Sequence, residues 1–531
     1  MTSRPDETRA GGAGASVTTP AHIARIAVAV VACVGFGLPL LAVRSLDASA
    51  GPVVGALAAL ILGATALGPI VGLCALILTL PLSIMVEQEL RGAILAGDVV
   101  DVLVLSFACA GSLSIIARGR EPLGRLGPVA AVLMVAIVTS AISELRLIQA
   151  VTPRVSVLPV IAEHLTRDYW TDVREWAVLQ HTWRWLAWIV TALCVERVAA
   201  ASERAARTLM HVWVAAGVAG ALLVLMRVFE IVSSRGGSLS RTLVDLLPYL
   251  RLSVLQPDVN AAGSYLLLFL LPVLLLGFRR GGGWLLGTVL PLLLVAFGLA
   301  RSRAAVGAGI VVLCFAGLAH QWHRAGGATG RAVRRRALAA VAVVGLGMAA
   351  VAATLYVTAA SNAAVSDAMR VRLDLATVGV EALNRAPVFG VGPGDYISST
   401  RRFITPDMAT LRAMAPQGEN AHNNFLQIAV ELGVPACLVF LWFVGRAIGP
   451  GLPGRRALPG ASSEGMALGI VAFLISAMLG HPLLVPLVGS AFFIALGLSA
   501  GLAGTSRMSE TGESICWMLS GIYLGSLLWR W

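Results

Sequence analysis

"QPDVNAAGSYLLLFLLPVLLLGF", residues Gln256 to Phe278, carries the reading of the fold. From Val259 to Phe278 it contains no charged residue. Crossing the hydrocarbon core of a bilayer takes about 20 residues of helix, because each residue rises about 1.5 Å. This run has that length, and it opens on polar groups, Asp258 and Asn260. Similar runs recur along the chain. Spans are predicted near Ile26–Val43, Val53–Leu67, Ile70–Val86, Val99–Ile116, Val129–Ile142, Trp183–Val195, Met210–Val228, Ala262–Phe278, Trp284–Ala300, Ala305–Leu318, Ala339–Thr358, Phe425–Gly445, Met466–Leu479 and Leu483–Leu502. The span at Trp183 is short enough to lie in the interface instead. The tail "ICWMLSGIYLGSLLWRW" reads as one more span or as an interfacial helix. The predicted fold class is all-α, a polytopic membrane protein of about 12–14 transmembrane helices.

Composition agrees. Of 531 residues, 57% are hydrophobic and 13% charged, and the mean hydropathy is +0.84. A soluble domain carries about 25% charge. Every one of the 40 basic residues is arginine, which excludes a lysine Schiff base and a P-loop lysine. The net charge of +12 reads as loop arginines beside anionic lipid, with no nucleic-acid partner. The seven cysteines form no CxxC pair, so neither a disulfide framework nor a zinc site is expected.

Arginine asymmetry orients the spans. Arginine-bearing connections begin at Ala117, Glu196, Phe278, Arg324 and Gly445, and with these spans all five fall on one face. That face is read as cytoplasmic, with the N-terminus inside. Residues 1–21 read as a disordered cytoplasmic N-terminus. Residues 22–250 read as N-terminal spans with an external interfacial loop at about 143–182. Residues 251–503 read as the functional membrane region, with an external loop over 359–424. Residues 504–531 form a tail. The loop holds six arginines and six acids. Its first half has helical spacing of Met369, Leu373 and Leu383, with Arg370 and Asp374 at i,i+4, and is expected to end at Pro387. "VFGVGPGDY" follows as a glycine-rich turn.

On the external face, polar residues gather at span ends. Arg251 precedes the run quoted above. Arg301, Ser302 and Arg303 join two spans. "GENAHNNFLQIAVELG", Gly418 to Gly433, places Asn420, His422, Asn423 and Asn424 at the mouth of another, and His481 follows Gly480. Asn260 and Asn424 suit helix N-caps, and a histidine before a proline suits a helix boundary. These same groups also suit an anion. Arginine presents a planar fork to phosphate and stays charged, helix N-termini add partial positive charge, and a histidine beside them can move a proton.

"AHNNFLQIAVELGVPA" resembles the histidine–asparagine motif of the O-antigen ligase and polymerase superfamily. "PVFGVGPGDY" resembles its proline–glycine turn, "QPDVNAAGSYLLLFLLP" its proline-x-asparagine span opening, and "RSRAAVGAGIVVL" its serine–arginine motif, over roughly Arg251 to Leu502. Ala300 stands where many members have a hydroxyl residue. The resemblance implies a metal-independent inverting glycosyltransferase of the all-helical, polyprenol-dependent kind in a bacterial inner membrane. Its donor would be a glycan on undecaprenyl diphosphate. Its acceptor would be a glycan, the lipid A core or a protein hydroxyl. It implies no cofactor and no metal, in keeping with a sequence that has no DxD pair. His422 is then expected to activate or orient the acceptor hydroxyl with help from Asn423, or to bond the diphosphate. Arg303 and Arg251 are expected to hold the diphosphate, with Arg301, Arg370, Asn260 and His481 as further contacts. Glu419 and Glu431 could orient the histidine. A protein O-oligosaccharyltransferase shares these motifs. A transporter or lipid flippase, or a scaffold of an export complex, would instead leave His422 without a chemical task.

Overall fold

A computed structural model describes residues 51–89, 98–118, 124–151, 174–234, 259–279, 282–324, 363–416, 418–452, 461–504 and 510–529. The spans expected at Ile26–Val43 and Ala339–Thr358, the N-terminal tail and Arg251 lie outside them.

The described chain is helical throughout. In order it runs α1 (Gly51–Leu67), α2 (Pro69–Glu89), α3 (Asp98–Arg118), α4 (Gly127–Val151), α5 (Arg174–Ala201), α6 (Glu203–Ser234), α7 (Val259–Arg279), a π-turn (Leu285–Val289) that continues as α8 (Leu290–Ala300), α9 (Arg303–Arg324) and α10 (Ala363–Arg385). Then come the short α11 (Tyr396–Thr400) and α12 (Ala409–Met414), α13 (Asn424–Leu432), α14 (Val434–Ile448), α15 (Ala461–Ala477), α16 (Pro486–Leu502) and α17 (Glu510–Trp529). Among the described residues four helices are long and apolar enough to cross a membrane, over Pro69–Val86, Gly127–Ile148, Glu203–Ser234 and Asn260–Phe278, and seven shorter helices are apolar. Large apolar side chains such as Ile310 and Phe315 stand exposed, as suits a surface that meets lipid tails. The architecture is that of a polytopic membrane protein.

The core lies where α5, α14 and α16 meet. Trp185 packs edge-on against Phe440 and Phe493, each at 5.8 Å, and Trp188 stacks on Phe493 at 5.5 Å. The indole N–H of Trp188 donates to Ser490 Oγ at 2.9 Å, which satisfies the polar end of a fully buried ring. α7 lies along α15, and α17 lies along α4.

The structure adds detail to several sequence expectations and changes some of them. The short span at Trp183 is part of α5, a helix of 28 residues. Charges that shorten its apolar run are paired inside the protein: Arg184 Nε donates to Asp101 at 2.8 Å, and Glu196 accepts the Leu126 N–H at 3.2 Å. The span expected over Phe425–Gly445 is two helices, broken at Gly433, whose φ is +88°. In α10 a helix forms as predicted, with Met369 and Leu373 on its exposed side. The packed face is Val371, Leu375 and Val378, which close on Leu411. The loop expected at 143–182 is also shortened, since α4 runs to Val151 and α5 begins at Arg174.

The ends of these helices sort into two groups. Arg125 donates to the Gly504 carbonyl, Arg446 donates to the Arg125 carbonyl, and Glu196 meets Leu126. The connections after α3, α5, α14 and α16 therefore gather at one end. The beginnings of α5, α13 and α16 gather at the other, around Asn424.

Candidate functional site

The second end holds most of the polar residues singled out by the sequence. Asn424 is buried and joins two elements. Its N–H donates to the Gly480 carbonyl at 3.1 Å, and its Oδ1 accepts the Leu483 N–H at 3.1 Å. This pairing brings the segment Gly480–Leu484 against the start of α13. It sets His422 beside His481, with ring centroids 4.8 Å apart. On the far side of Gly480, the Asn260 Cβ lies 3.5 Å from where a Gly480 Cβ would stand. Asn260 Oδ1 in turn accepts from Ser302 Oγ at 3.2 Å. One seam of neighbours thus runs from the α8–α9 turn through Asn260, by packing, to Gly480 and the histidine pair.

Ser302 is buried and caps α9, its Oγ accepting the Ala305 N–H at 3.2 Å. Burial of Ser302 turns its two neighbours outward: Arg301 and Arg303 are both exposed. Arg301 adopts φ +48°, the left-handed conformation that closes α8. Ser302→Ala removes a cap and the partner of Asn260, and is expected to lower stability by about 1 kcal/mol. Thermal unfolding of the detergent-solubilised protein checks this, and an unchanged midpoint would refute it.

The N-cap of α13 is Asn423, not Asn424. Asn423 Oδ1 accepts the Phe425 and Leu426 N–H groups at 2.9 and 3.1 Å. With the Asn424 N–H on Gly480, the first turn of α13 has its donors satisfied by protein. That N-terminus is not an open anion cradle, contrary to the sequence reading. Asn260 is likewise the second residue of α7 and not its cap. Arg370 is exposed on α10, and among the described residues no hydrogen bond joins it to the histidine pair.

A small cavity beside Asn424 is lined by His181, Arg184, Gln427 and Glu431, and its apolar walls include Trp185, Trp188 and Leu483. Glu431 and Gln427 are buried. The glycine-rich turn folds onto the end of α13: the Val391 N–H donates to the Val430 carbonyl and the Gly392 N–H to the Glu431 carbonyl, at 2.8 and 2.9 Å. Ser140 of α4 donates to the same Glu431 carbonyl at 2.9 Å. Gly390 and Gly394 adopt φ +71° and +76°, and a Cβ on Gly394 would strike the His181 ring.

His181, Arg184 and Gln427 were not singled out in the sequence. Gln427 carries a usable signal there, since Gln427 and Glu431 are the polar pair at i,i+4 in the otherwise apolar "FLQIAVEL". His181 and Arg184 carry none, because only the packing of α5 brings them here. Among the described residues no three His, Cys, Asp or Glu side chains come together as metal ligands would.

No curated protein and no solved structure matches the chain. Residues 286–441, however, match the family model described as O-antigen ligase. The match spans the Arg301–Arg303 turn, α10, the glycine-rich turn and the His422 loop, and stops short of His481. This multi-pass membrane chain therefore carries a domain of the O-antigen ligase family, a family of glycosyltransferases.

Proposed function

We propose that the protein moves a glycan from undecaprenyl diphosphate to an acceptor hydroxyl, without a metal and with inversion, at the periplasmic face of a bacterial inner membrane. The observation that carries this reading is the seam joining the arginine-flanked Ser302 turn, through Asn260 and Gly480, to the His422–His481 pair. An anion-binding turn and a proton-handling pair at one end of a membrane bundle suit a reaction whose leaving group is a diphosphate. The acceptor oxygen attacks the anomeric carbon as its proton passes to His422. The bond from that carbon to the diphosphate oxygen breaks on the opposite side. The departing negative charge is held by Arg303, with Arg301 and Arg251 in support. Asn423 holds the loop by capping α13. Arg370 and His481 are further contacts for the glycan or the diphosphate.

The periplasmic assignment is supported by the gathering of Arg125 and Arg446 at the opposite end, since loop arginines favour the cytoplasmic side. Acceptor choice between a glycan repeat, the lipid A core and a protein hydroxyl stays open on this reading.

The test is transfer in proteoliposomes holding the purified protein and an undecaprenyl-diphosphate glycan. The expected result is release of undecaprenyl diphosphate with formation of a conjugate of inverted anomeric configuration, unaffected by a chelator. Movement of intact lipid-linked glycan across the bilayer, with no bond broken, would establish a transporter instead. In the same assay Arg303→Ala is expected to lower kcat/KM about 100-fold. Arg303→Lys should restore only part of this, because an ammonium lacks the planar fork. Full recovery by lysine would remove the bidentate contact from the mechanism.

A further inference from the structure

We propose that Gln427 and Glu431 are positioning residues for His422, an inference that rests on the role given to His422 above. His422 has φ +50°, a conformation that a non-glycine residue holds only where its surroundings over-determine it. The two residues before it are gripped by one side chain. Gln427 Nε2 donates to Asn420 Oδ1 at 3.2 Å, and Gln427 Oε1 accepts the Ala421 N–H at 3.4 Å. The residue after it, Asn423, is held by capping α13. His422 is thus the single residue between two anchors that belong to the same helix.

Glu431 decides which way the Gln427 amide points. Its Oε1 accepts from Gln427 Nε2 at 2.8 Å, so the NH2 end of the amide faces the carboxyl group. That leaves the amide oxygen for the Ala421 N–H. The other carboxylate oxygen accepts the Gly394 N–H at 3.0 Å. One buried carboxylate therefore ties the histidine loop to the glycine-rich turn. Ala421, Val391 and Val430 close this junction with apolar contact, which keeps water from competing for the bonds.

The chain of causes is short: Glu431 orients Gln427, Gln427 holds Asn420 and Ala421, and these fix the left-handed turn that aims the imidazole. Neither residue needs to touch substrate. A positioning role then affects the rate of the chemical step and leaves donor binding alone.

The experiment uses two variants that preserve shape. Glu431→Gln leaves one carbonyl oxygen where two acceptors stood. Gln427→Glu turns the donor to Asn420 and Glu431 into an acceptor, facing a second carboxylate. Both are purified in full-length form and assayed beside His422→Ala with a radiolabelled undecaprenyl-diphosphate glycan, and folded state is followed by size-exclusion profile. The expected result is a fall in kcat of about tenfold or more in each, with KM for the donor within about twofold of the parent. Wild-type kcat in both variants, with His422→Ala inactive, would overturn this inference and leave the proposed function standing. Wild-type activity in His422→Ala would overturn both. A fall in kcat accompanied by aggregation or by an equal rise in KM would assign the pair to general stability and also overturn the positioning role.

Discussion

Alanine at position 422 is expected to stop glycan transfer while leaving the protein folded and in the membrane. The imidazole is half-buried in a loop held by Asn423, Gln427 and the Asn424–Gly480 bond, and these anchors stay in place when it is removed. On the proposed mechanism the substitution removes the group that takes the acceptor proton, worth roughly 100- to 10,000-fold in rate. In cells, undecaprenyl-linked glycan should accumulate and the mature conjugate should disappear at unchanged protein level on a blot. The length of the accumulated chains separates the acceptor classes: single repeats mark a lost polymerase, and long chains mark a lost ligase. A fitting control is Arg207→Ala. Arg207 is exposed and pairs with Glu203 at 3.8 Å. It follows the far end of α5, about 20 residues and roughly 30 Å of helix from His181. Its loss should leave transfer unchanged. A His422→Ala strain indistinguishable from the parent would reduce the residue to a helix-end filler and remove the proposed chemistry.

Gly433→Ala should have the largest structural effect. The elbow between α13 and α14 sits at φ +88° and ψ 159°, a region open in practice only to glycine. A Cβ there would stand 2.1 Å from the Val388 carbonyl oxygen and 2.4 Å from its carbon. Both are backbone atoms of the segment that leads into the glycine-rich turn, and the Val434 N–H already ties the elbow to the Pro387 carbonyl at 2.8 Å. Neither side can yield without pulling that turn off α13. Strain and clash together should cost roughly 3 kcal/mol or more, read as a lower folded yield and a lower unfolding midpoint. Gly445→Ala, in the same α14, meets nothing within 4 Å and should be neutral or slightly stabilising. Equal behaviour of the two variants would show that the elbow tolerates another geometry.

The seam at the site was partly legible. His422, Asn423, Asn260, Ser302 and the flanking arginines stand out because polar groups at the ends of apolar runs need partners. Their assignment by residue was not legible. The sequence pointed to Asn424 as a cap, yet the chain turns one residue earlier, and Asn424 is drawn inward to hold Gly480 and Leu483. In α10 the spacing gave the helix but not its packed face, for a related reason. Met369 and Leu373 share helical spacing with each other, and so do Val371, Leu375 and Val378; periodicity finds a stripe but not which neighbour it meets.

Hydropathy alone determined the all-helical membrane class and, within a few residues, most of the spans, because lipid leaves the backbone no partner but itself. It could not reveal the break at Gly433, since the apolar run continues across it and only the left-handed backbone divides α13 from α14. It also shortened α5, because Arg184 reads as a lipid-facing charge until Asp101 is seen against it. The tertiary structure decided both, and with them the grip of Gln427 and Glu431 on the histidine loop. Those depend on which buried polar groups meet across helices far apart in the chain, and no local pattern of residues encodes that meeting.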